Sequence, residues 1–307
     1  MKPTLYMLIG IPGSTKSTYA KKLAEETNAI ILSSDSLRNE MFGSEDNQEH
    51  NAEVFIELHK RCKDGLSKLN NIIYDACNIN QKKRTFFLKE LNKIDCYKKA
   101  VIMATPFELC LENNSKRDRK VPEYVIKRMR ANFHFPLYSE GFDDIEFVWN
   151  MEDMKFDLID MLSKTYDFDQ KNHHHSLSLG EHMKKAYDYL FNQRCLNYPL
   201  ILAARLHDIG KLETQTFVDK KGNASEDAHY FDHHFVGAYN AMFYLKQNET
   251  TLTDTEILHT CTLIQYHMHP FLGWKDSEKA RNRDRLLLGK ELYDAVWKLH
   301  EADLAAH

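Results

Sequence analysis

One stretch constrains this chain more than any other: Gly10-Ile11-Pro12-Gly13-Ser14-Thr15-Lys16-Ser17. The apolar run ending at Gly10 reads as a strand, and the sequence from Ser17 onward reads as a helix. A strand that passes through a glycine loop into a helix opens a parallel α/β unit. Its loop N–H groups converge at the positive end of the helix, a geometry that suits phosphate oxygens.

The periodicity agrees over the first half. Short apolar runs at 4–10, 29–35, 71–76, 97–104 and 144–149 predict buried parallel strands. Helical patterns at 17–26, 52–69, 82–91 and 122–132 fall between them, so the expected fold is a parallel sheet with helices on both faces. Beyond about residue 167, stretches at 176–193, 199–208, 233–247, 254–268 and 289–304 have helical periodicity and little strand signal. The change of period predicts two domains, 1–155 and 166–307, with a boundary near 152–172 and a polar link at Tyr166–Asn172.

Composition excludes some classes. A net charge of −4 argues against a globally basic nucleic-acid binder, leaving only local patches for that role. The six cysteines form no close CxxC pair and read as reduced thiols of a cytoplasmic protein. Met1-Lys2-Pro3 leads straight into a strand, which speaks against a secretory signal. No apolar run reaches the roughly 18–20 residues of a membrane span. Histidine is unevenly spread: thirteen of sixteen lie after residue 172, which points to a metal-rich second half.

In the glycine loop, Lys16 is placed to reach the β- and γ-phosphates of ATP or another nucleoside triphosphate, and Ser17 to hold Mg²⁺. Gly10, Gly13, Ser14, Thr15 and Thr18 complete the expected nucleotide cradle. Thr15 stands where such loops carry glycine, and a β-branched residue at positive φ costs about 1–2 kcal/mol. The second strand ends Ser33-Ser34-Asp35-Ser36-Leu37-Arg38. Asp35 at a strand's carboxyl end is positioned to accept the proton of an attacking hydroxyl, and Arg38 to hold an anionic group on the acceptor. Lys116, Arg117, Arg119 and Lys120 fall within five residues, a cluster suited to clamping a triphosphate.

The pattern Gly-x-Pro-Gly-Ser-x-Lys-Ser followed by Ser-Asp-x-x-Arg resembles the kinase domain of the phage polynucleotide 5′-kinase family, over roughly residues 1–150. Asp75-Ala76 with Asn78, and Asn114-Ser115-Lys116-Arg117 before Val121-Pro122, add to the likeness. The resemblance implies that Asp35 is the general base for a 5′-hydroxyl, that Arg38 contacts a substrate phosphate, and that Arg117 of a lid contacts the nucleotide.

In the second half, His207-Asp208-Ile209-Gly210-Lys211 follows the apolar helix 200–206. Adjacent imidazole and carboxylate at a helix end can address one cation, and mixed N/O ligation suits Mn²⁺, Fe²⁺, Co²⁺, Ni²⁺ or Zn²⁺. With His175 upstream and Asp303 downstream, this order resembles the HD phosphohydrolase superfamily over about 172–307. That resemblance implies an all-α HD domain and the metal ligands His175, His207, Asp208 and Asp303. Members with two metals have two further histidines, for which His233 and His267 are the best matches and His234 and His269 the alternatives. His173, His174, His182 and His229 are expected to flank the site or to contact substrate, and Lys211 to neutralise a substrate phosphate or to lie on a helix surface.

Together the resemblances imply a bifunctional nucleic-acid end-healing enzyme. A 5′-OH polynucleotide kinase would be joined to a metal-dependent 2′,3′-cyclic, 2′- or 3′-phosphatase, with RNA ends favoured as substrates and an RNA ligase as implied partner. Two alternatives stand beside this reading: a small-molecule or nucleoside kinase fused to a nucleotidase, and a nucleotide-regulated HD hydrolase whose loop Thr15 has disabled.

Overall fold

Alternation of strand and helix is realised over the first half of the chain. The computed structural model describes residues 2–151, 154–172 and 176–307. It divides into one unit of Met1–Met129 with Pro136–Met151, and a second of Arg130–Phe135 with Glu152–His307.

The first unit runs β1 (Thr4–Ile9), α1 (Lys16–Thr27), β2 (Ile30–Ser33), α2 (Ser34–Phe42), α3 (Asn51–Ser67), β3 (Ile72–Asp75), α4 (Gln81–Glu90), β4 (Tyr97–Ala104), α5 (Phe107–Ser115), α6 (Glu123–Arg130) and β5 (Asp144–Trp149). Its five strands pair in parallel in the order β2-β3-β1-β4-β5. All four residues of β3 are buried, and since successive side chains point to opposite faces, both faces of the sheet are covered. Leu8, Ile73, Val101 and Met103 of the strands close a core with Ala20 and Leu23 of α1.

The helix starts are written locally. Ser33 caps α2, its hydroxyl accepting from Ser36 N at 3.4 Å, and Asn80 caps α4 by accepting from Lys83 N at 3.1 Å. Behind α4, Arg84 and Glu140 form a buried two-pronged ion pair at 2.8 Å, and Arg84 also donates to the Asn78 carbonyl at 2.8 Å. This pair fixes the start of α4 against the turn before β5.

The second unit contains α7 (Leu158–Tyr166), α8 (Leu179–Asn192), α9 (Tyr198–Leu206), α10 (Lys211–Thr214), β6 (Gln215–Val218), β7 (Ala224–Tyr230), α11 (His233–Asn248), α12 (Asp254–Tyr266) and α13 (Glu278–Ala305). Helix α12 packs on both α9 and α11, and α13 packs on α8. Capping boxes start α8 (Ser178 with Glu181) and α12 (Thr253 with Glu256).

Three expectations need correction here. The unit is not purely helical: β6 and β7 form an antiparallel hairpin with Gln215 opposite Tyr230. Its turn is set by Asp219, which accepts from Lys221 N and Asn223 N at 2.8 Å, and by Gly222 at φ 89°. The polar strand Ala-Ser-Glu-Asp-Ala-His-Tyr carries no apolar alternation, which is why periodicity missed it. Residues 158–166, inside the expected boundary, form a helix started by Asp157, whose carboxylate accepts from Ile159 N and Asp160 N at 2.9 Å. Finally, the last helix starts at 278 and kinks at Gly289 (φ 72°), where the sequence pattern began it. No helix among the described residues is long and apolar enough to cross a membrane.

Candidate functional sites

In the first unit the chemistry-bearing residues gather at the carboxyl ends of the parallel strands, where open α/β sheets bind ligands. The loop after β1 turns at Gly13 (φ 83°), and a Cβ there would meet the Cys110 carbonyl oxygen at 2.0 Å, so glycine is required. Thr15 does adopt the left-handed region, at φ 62° and ψ 16°. Its hydroxyl accepts a hydrogen bond from Asn150 Nδ2 at 3.1 Å, and Asn150, just beyond β5, also donates to Thr105 Oγ1 at 3.0 Å. A side-chain bond thus holds a backbone conformation that threonine disfavours.

Lys16 folds over the loop, donating to the carbonyls of Gly10 (3.0 Å) and Ile11 (2.9 Å) and lying 3.3 Å from Ser14 Oγ. Ser17 Oγ donates to Asp75 Oδ2 at 2.8 Å. Burial pushes the Asp75 carboxyl above its usual range, against the opposing pull of Ser17 and of the Lys16 and Arg117 charges. Hydroxyl plus incompletely compensated carboxylate is an oxygen-only donor set that fits Mg²⁺. Asp75, which the sequence marks only through its Asp-Ala-x-Asn motif, stands at the end of β3 against Ser17. Thr18 is exposed on the first turn of α1.

Asp35 and Arg38 meet as expected on one face of α2: Arg38 Nη1 donates to Asp35 Oδ1 at 2.6 Å and Nη2 to Asn51 Oδ1 at 2.8 Å. Arg38 is buried, and its Nε has no hydrogen-bond partner among the described residues. The 116–120 loop splits its cations. Arg117 is exposed and bears electrostatically on Asp75. Arg119, which the sequence left without an individual role, reaches Asp35 Oδ1 at 3.3 Å and Asp46 Oδ1 at 2.6 Å. Glu45 and residues 116–119 line a cavity of about 340 Å³.

In the second unit, two trios of ligand-type side chains form: His182, His207 and Asp303, and Asp208, His233 and His267. His182 Nε2 lies 3.0 Å from Asp303 Oδ1 and 3.2 Å from His207 Nε2. His233 Nε2 lies 3.1 Å from Asp208 Oδ1 and 3.3 Å from His267 Nε2. Asp208 joins the trios, its Oδ2 standing 3.5 Å from both His182 and His207.

The tautomers decide what fits there. His233 Nδ1 is 2.7 Å from the Tyr230 carbonyl, and His267 Nδ1 is 2.7 Å from that of Ile264. Each Nδ1 therefore carries the proton, so both Nε2 lone pairs point at each other and at a carboxylate oxygen. His207 is held in the same way by the Ala204 carbonyl at 3.0 Å. Such convergent acceptors fit a divalent cation, and backbone carbonyls that orient ligating imidazoles are the usual support. Burial holds His267 neutral, its pKa lowered to about 4. His207 feels the same burial, but the Asp208 and Asp303 charges outweigh it and raise its pKa to about 9. Asp208 sits well below the carboxylate range despite burial, because Lys211 and His207 surround it.

Of the alternative ligands, His234 Nδ1 is buried without a hydrogen-bond partner among the described residues and His269 Nδ1 contacts Asp284 Oδ2 at 3.0 Å; neither enters a trio of described residues. His182 does, where the sequence expected a flanking role; spacing alone gave no reason to prefer it. His173, His174 and His175 lie outside the described residues. Lys211 is buried rather than on a helix surface, donating to Asp208 Oδ2 at 2.7 Å and Gln170 Oε1 at 2.8 Å. The glycine of the motif is steric: a Cβ on Gly210 would meet the His233 carbonyl oxygen at 2.0 Å and Gly237 N at 2.6 Å. Close approach of this turn to α11 is what brings Asp208 and His233 together.

Comparison with known proteins addresses the first unit. Residues 5–136 match the family model described as AAA domain. The chain is 28% identical over 160 residues to the L-seryl-tRNA(Sec) kinase of Methanococcus maripaludis, covering 50% of this chain and 58% of that protein. It is 29% identical over 157 residues to the "Putative bifunctional polynucleotide phosphatase/kinase" of Acanthamoeba polyphaga mimivirus, covering 48% of this chain and 33% of that one. A solved "putative kinase" of Chloroflexus aurantiacus superposes with a TM-score of 0.42 at 15% identity, over 53% of this chain and 97% of its own. The chain thus spans 58% or less of these two curated relatives, and residues 5–136 are similar to the AAA domain model.

Proposed function

We propose that the chain is a bifunctional RNA end-healing enzyme, a 5′-OH polynucleotide kinase joined to an HD-type phosphohydrolase acting on 2′,3′-cyclic, 2′- or 3′-phosphate ends. The observation that carries the second half is the pair of imidazole–carboxylate trios joined by Asp208. The first half rests on Lys16, Ser17, Asp75, Asp35 and Arg38 at one sheet edge, and the pairing of phosphatase with kinase in the name of the mimivirus relative supports the combination.

In the kinase, Asp35 takes the proton of the 5′-hydroxyl, whose oxygen attacks the γ-phosphorus as the bond to the β-phosphate's bridging oxygen breaks. Lys16 and Arg117 balance charge on the transferring group, Arg38 holds the acceptor's phosphate, and Ser17 with Asp75 holds Mg²⁺. In the hydrolase, His182, His207, Asp208 and Asp303 would hold one divalent ion and Asp208, His233 and His267 a second. Such ions supply Lewis acidity and a water of lowered pKa. The chain's own contribution is orientation: three backbone carbonyls fix the imidazoles, and Lys211 keeps Asp208 ionised. An RNA ligase acting on the healed ends is the implied partner.

The test offers one preparation labelled γ-phosphate with a 5′-OH oligonucleotide, and separately an RNA ending in a 2′,3′-cyclic phosphate. Transfer lost in Asp35→Ala and hydrolysis lost only in Asp208→Ala are expected. Activity confined to mononucleotides, or no turnover of any triphosphate, would overturn the reading.

A further inference from the structure

The stretch after His267 is built unlike the rest of the second unit. A π-helical turn at Pro270–Trp274 leaves Phe271 and Leu272 each 59% exposed, two large apolar side chains side by side in water. Residues 275–290 then carry six Lys/Arg against three Asp/Glu, in a chain with more acids than bases overall. Arg283 pairs with buried Asp284 and Lys290 with Asp294, which leaves Lys275, Lys279, Arg281 and Arg285 against Asp276 and Glu278.

Turn and helix are tied into one body. His269 Nδ1 (3.0 Å) and Trp274 Nε1 (2.9 Å) both contact Asp284 Oδ2, and Arg281 donates to the carbonyls of Trp274 and Lys275. Lys275 lies 5.4 Å from the centre of the Phe271 ring. Lys279 and Arg285 are exposed, and neither makes an ion pair or side-chain hydrogen bond among the described contacts. This body adjoins the metal-ligand cluster: Phe271 is four residues, about one helical turn, beyond His267. At the other end, the charges of Lys275 and Asp303 both bear on His300.

We propose that Phe271, Leu272, Lys275, Lys279 and Arg285 form a platform that docks a single-stranded RNA end and feeds its terminal phosphate to the trios. An exposed ring beside unpaired cations is what base stacking and backbone phosphates require. Fixed anchoring through Asp284 keeps the ring presented, so little ordering is needed on binding. The platform rests on the phosphohydrolase reading of the cluster and assigns that site a polymeric substrate.

Two measurements on the full chain separate the claims. Anisotropy of a labelled 12-mer RNA with 3′-OH ends reads the platform without catalysis. Phe271→Ala is expected to weaken binding about 5- to 150-fold. Lys279→Ala/Arg285→Ala is expected to lower the slope of log affinity against log salt by about 1.4, for two phosphate contacts of single-stranded RNA. Hydrolysis of a 2′,3′-cyclic mononucleotide is expected to be unchanged in both variants, while KM for a cyclic-phosphate-ended oligonucleotide rises. Phe271→Leu, which keeps an apolar side chain without a ring, is expected to resemble Phe271→Ala. Unaltered RNA binding and salt slope in these variants would overturn the platform even if hydrolysis is robust. Wild-type protein that binds RNA through these residues yet hydrolyses no cyclic phosphate would leave the platform standing and remove the hydrolase reading.

Discussion

Thr15 is the residue at which sequence and structure meet most directly. Its left-handed backbone costs about 1–2 kcal/mol, and the hydrogen bond from Asn150 returns about 0.5–1.5. Thr15→Gly loses both, so stability by denaturant titration should stay within about 1 kcal/mol of wild type, with 5′-transfer retained. Thr15→Val keeps the strain and loses the bond, and should cost about 0.5–1.5 kcal/mol. A large loss in the glycine variant would show that the hydroxyl, and not backbone strain, governs the loop. Buried histidines set a second residue-scale effect. Burial lowers the pKa of His59, stacked on Phe87 at 4.1 Å, and likewise of His259. Glu90 and Lys63 pull His59 in opposite directions, and Glu291 and Glu256 only partly offset burial at His259. Unfolded histidine titrates near 6.5, so below that pH the unfolded chain binds more protons than the folded one. The contribution of these two histidines is therefore flat above pH 6.5 and falls beneath it, by at most about 1.4 kcal/mol per pH unit for each. Urea titrations at pH 7.5 and 5.5 should show this fall, reduced in His59→Phe.

At the scale of elements, the decisive contact is the crossing of the 207–211 turn with α11. Gly210→Ala would drive a Cβ into backbone on both sides, the His233 carbonyl and Gly237 N, neither of which can rotate away. The turn must lift, Asp208 must part from His233, and metal bound per chain by elemental analysis should fall along with cyclic-phosphate hydrolysis. Full metal content in this variant would contradict that role for the crossing. Much of this was legible in the sequence. The strands of the first unit follow their apolar runs to within a residue or two, because a buried parallel strand must be apolar on both faces. His207, Asp208, His233 and His267, which the motif resemblance singled out, fall within the two trios. His182 was not legible, since its role depends on the packing of α8 against α9 and α13, which no spacing encodes. Nor was the β6–β7 hairpin, whose longer strand β7 is polar, nor Arg119, whose reach to Asp35 is a matter of loop conformation. The exposed Phe271 is a further case: a phenylalanine in a sequence reads as core until its surroundings are known.

The whole molecule carries two separate sets of chemistry, each housed in a unit with its own core. Nucleotide and metal should therefore act on different backbone segments. Bound at 100 times its Kd, a nucleotide stabilises what it binds by about 2.7 kcal/mol. Hydrogen exchange should accordingly slow in the loop 10–17 and around β1 and β3 when Mg²⁺ and ATP are added, and Lys16→Ala should abolish that protection. Chelation should do the opposite elsewhere. Without a cation, the Nε2 atoms of His233 and His267 oppose each other at 3.3 Å beside Asp208 Oδ1, and those of His182 and His207 at 3.2 Å beside Asp303. One imidazole of each pair must then take up a proton or turn away, although Lys211 still compensates Asp208 at 2.7 Å. Exchange should quicken in α8, in the 207–211 turn, at the start of α11 and at the end of α12, the segments that carry these imidazoles. Restoring a divalent metal should reverse it, and Asp208→Ala should be insensitive to both. If chelation left exchange in those four segments unchanged, the trios would be polar packing rather than a metal centre.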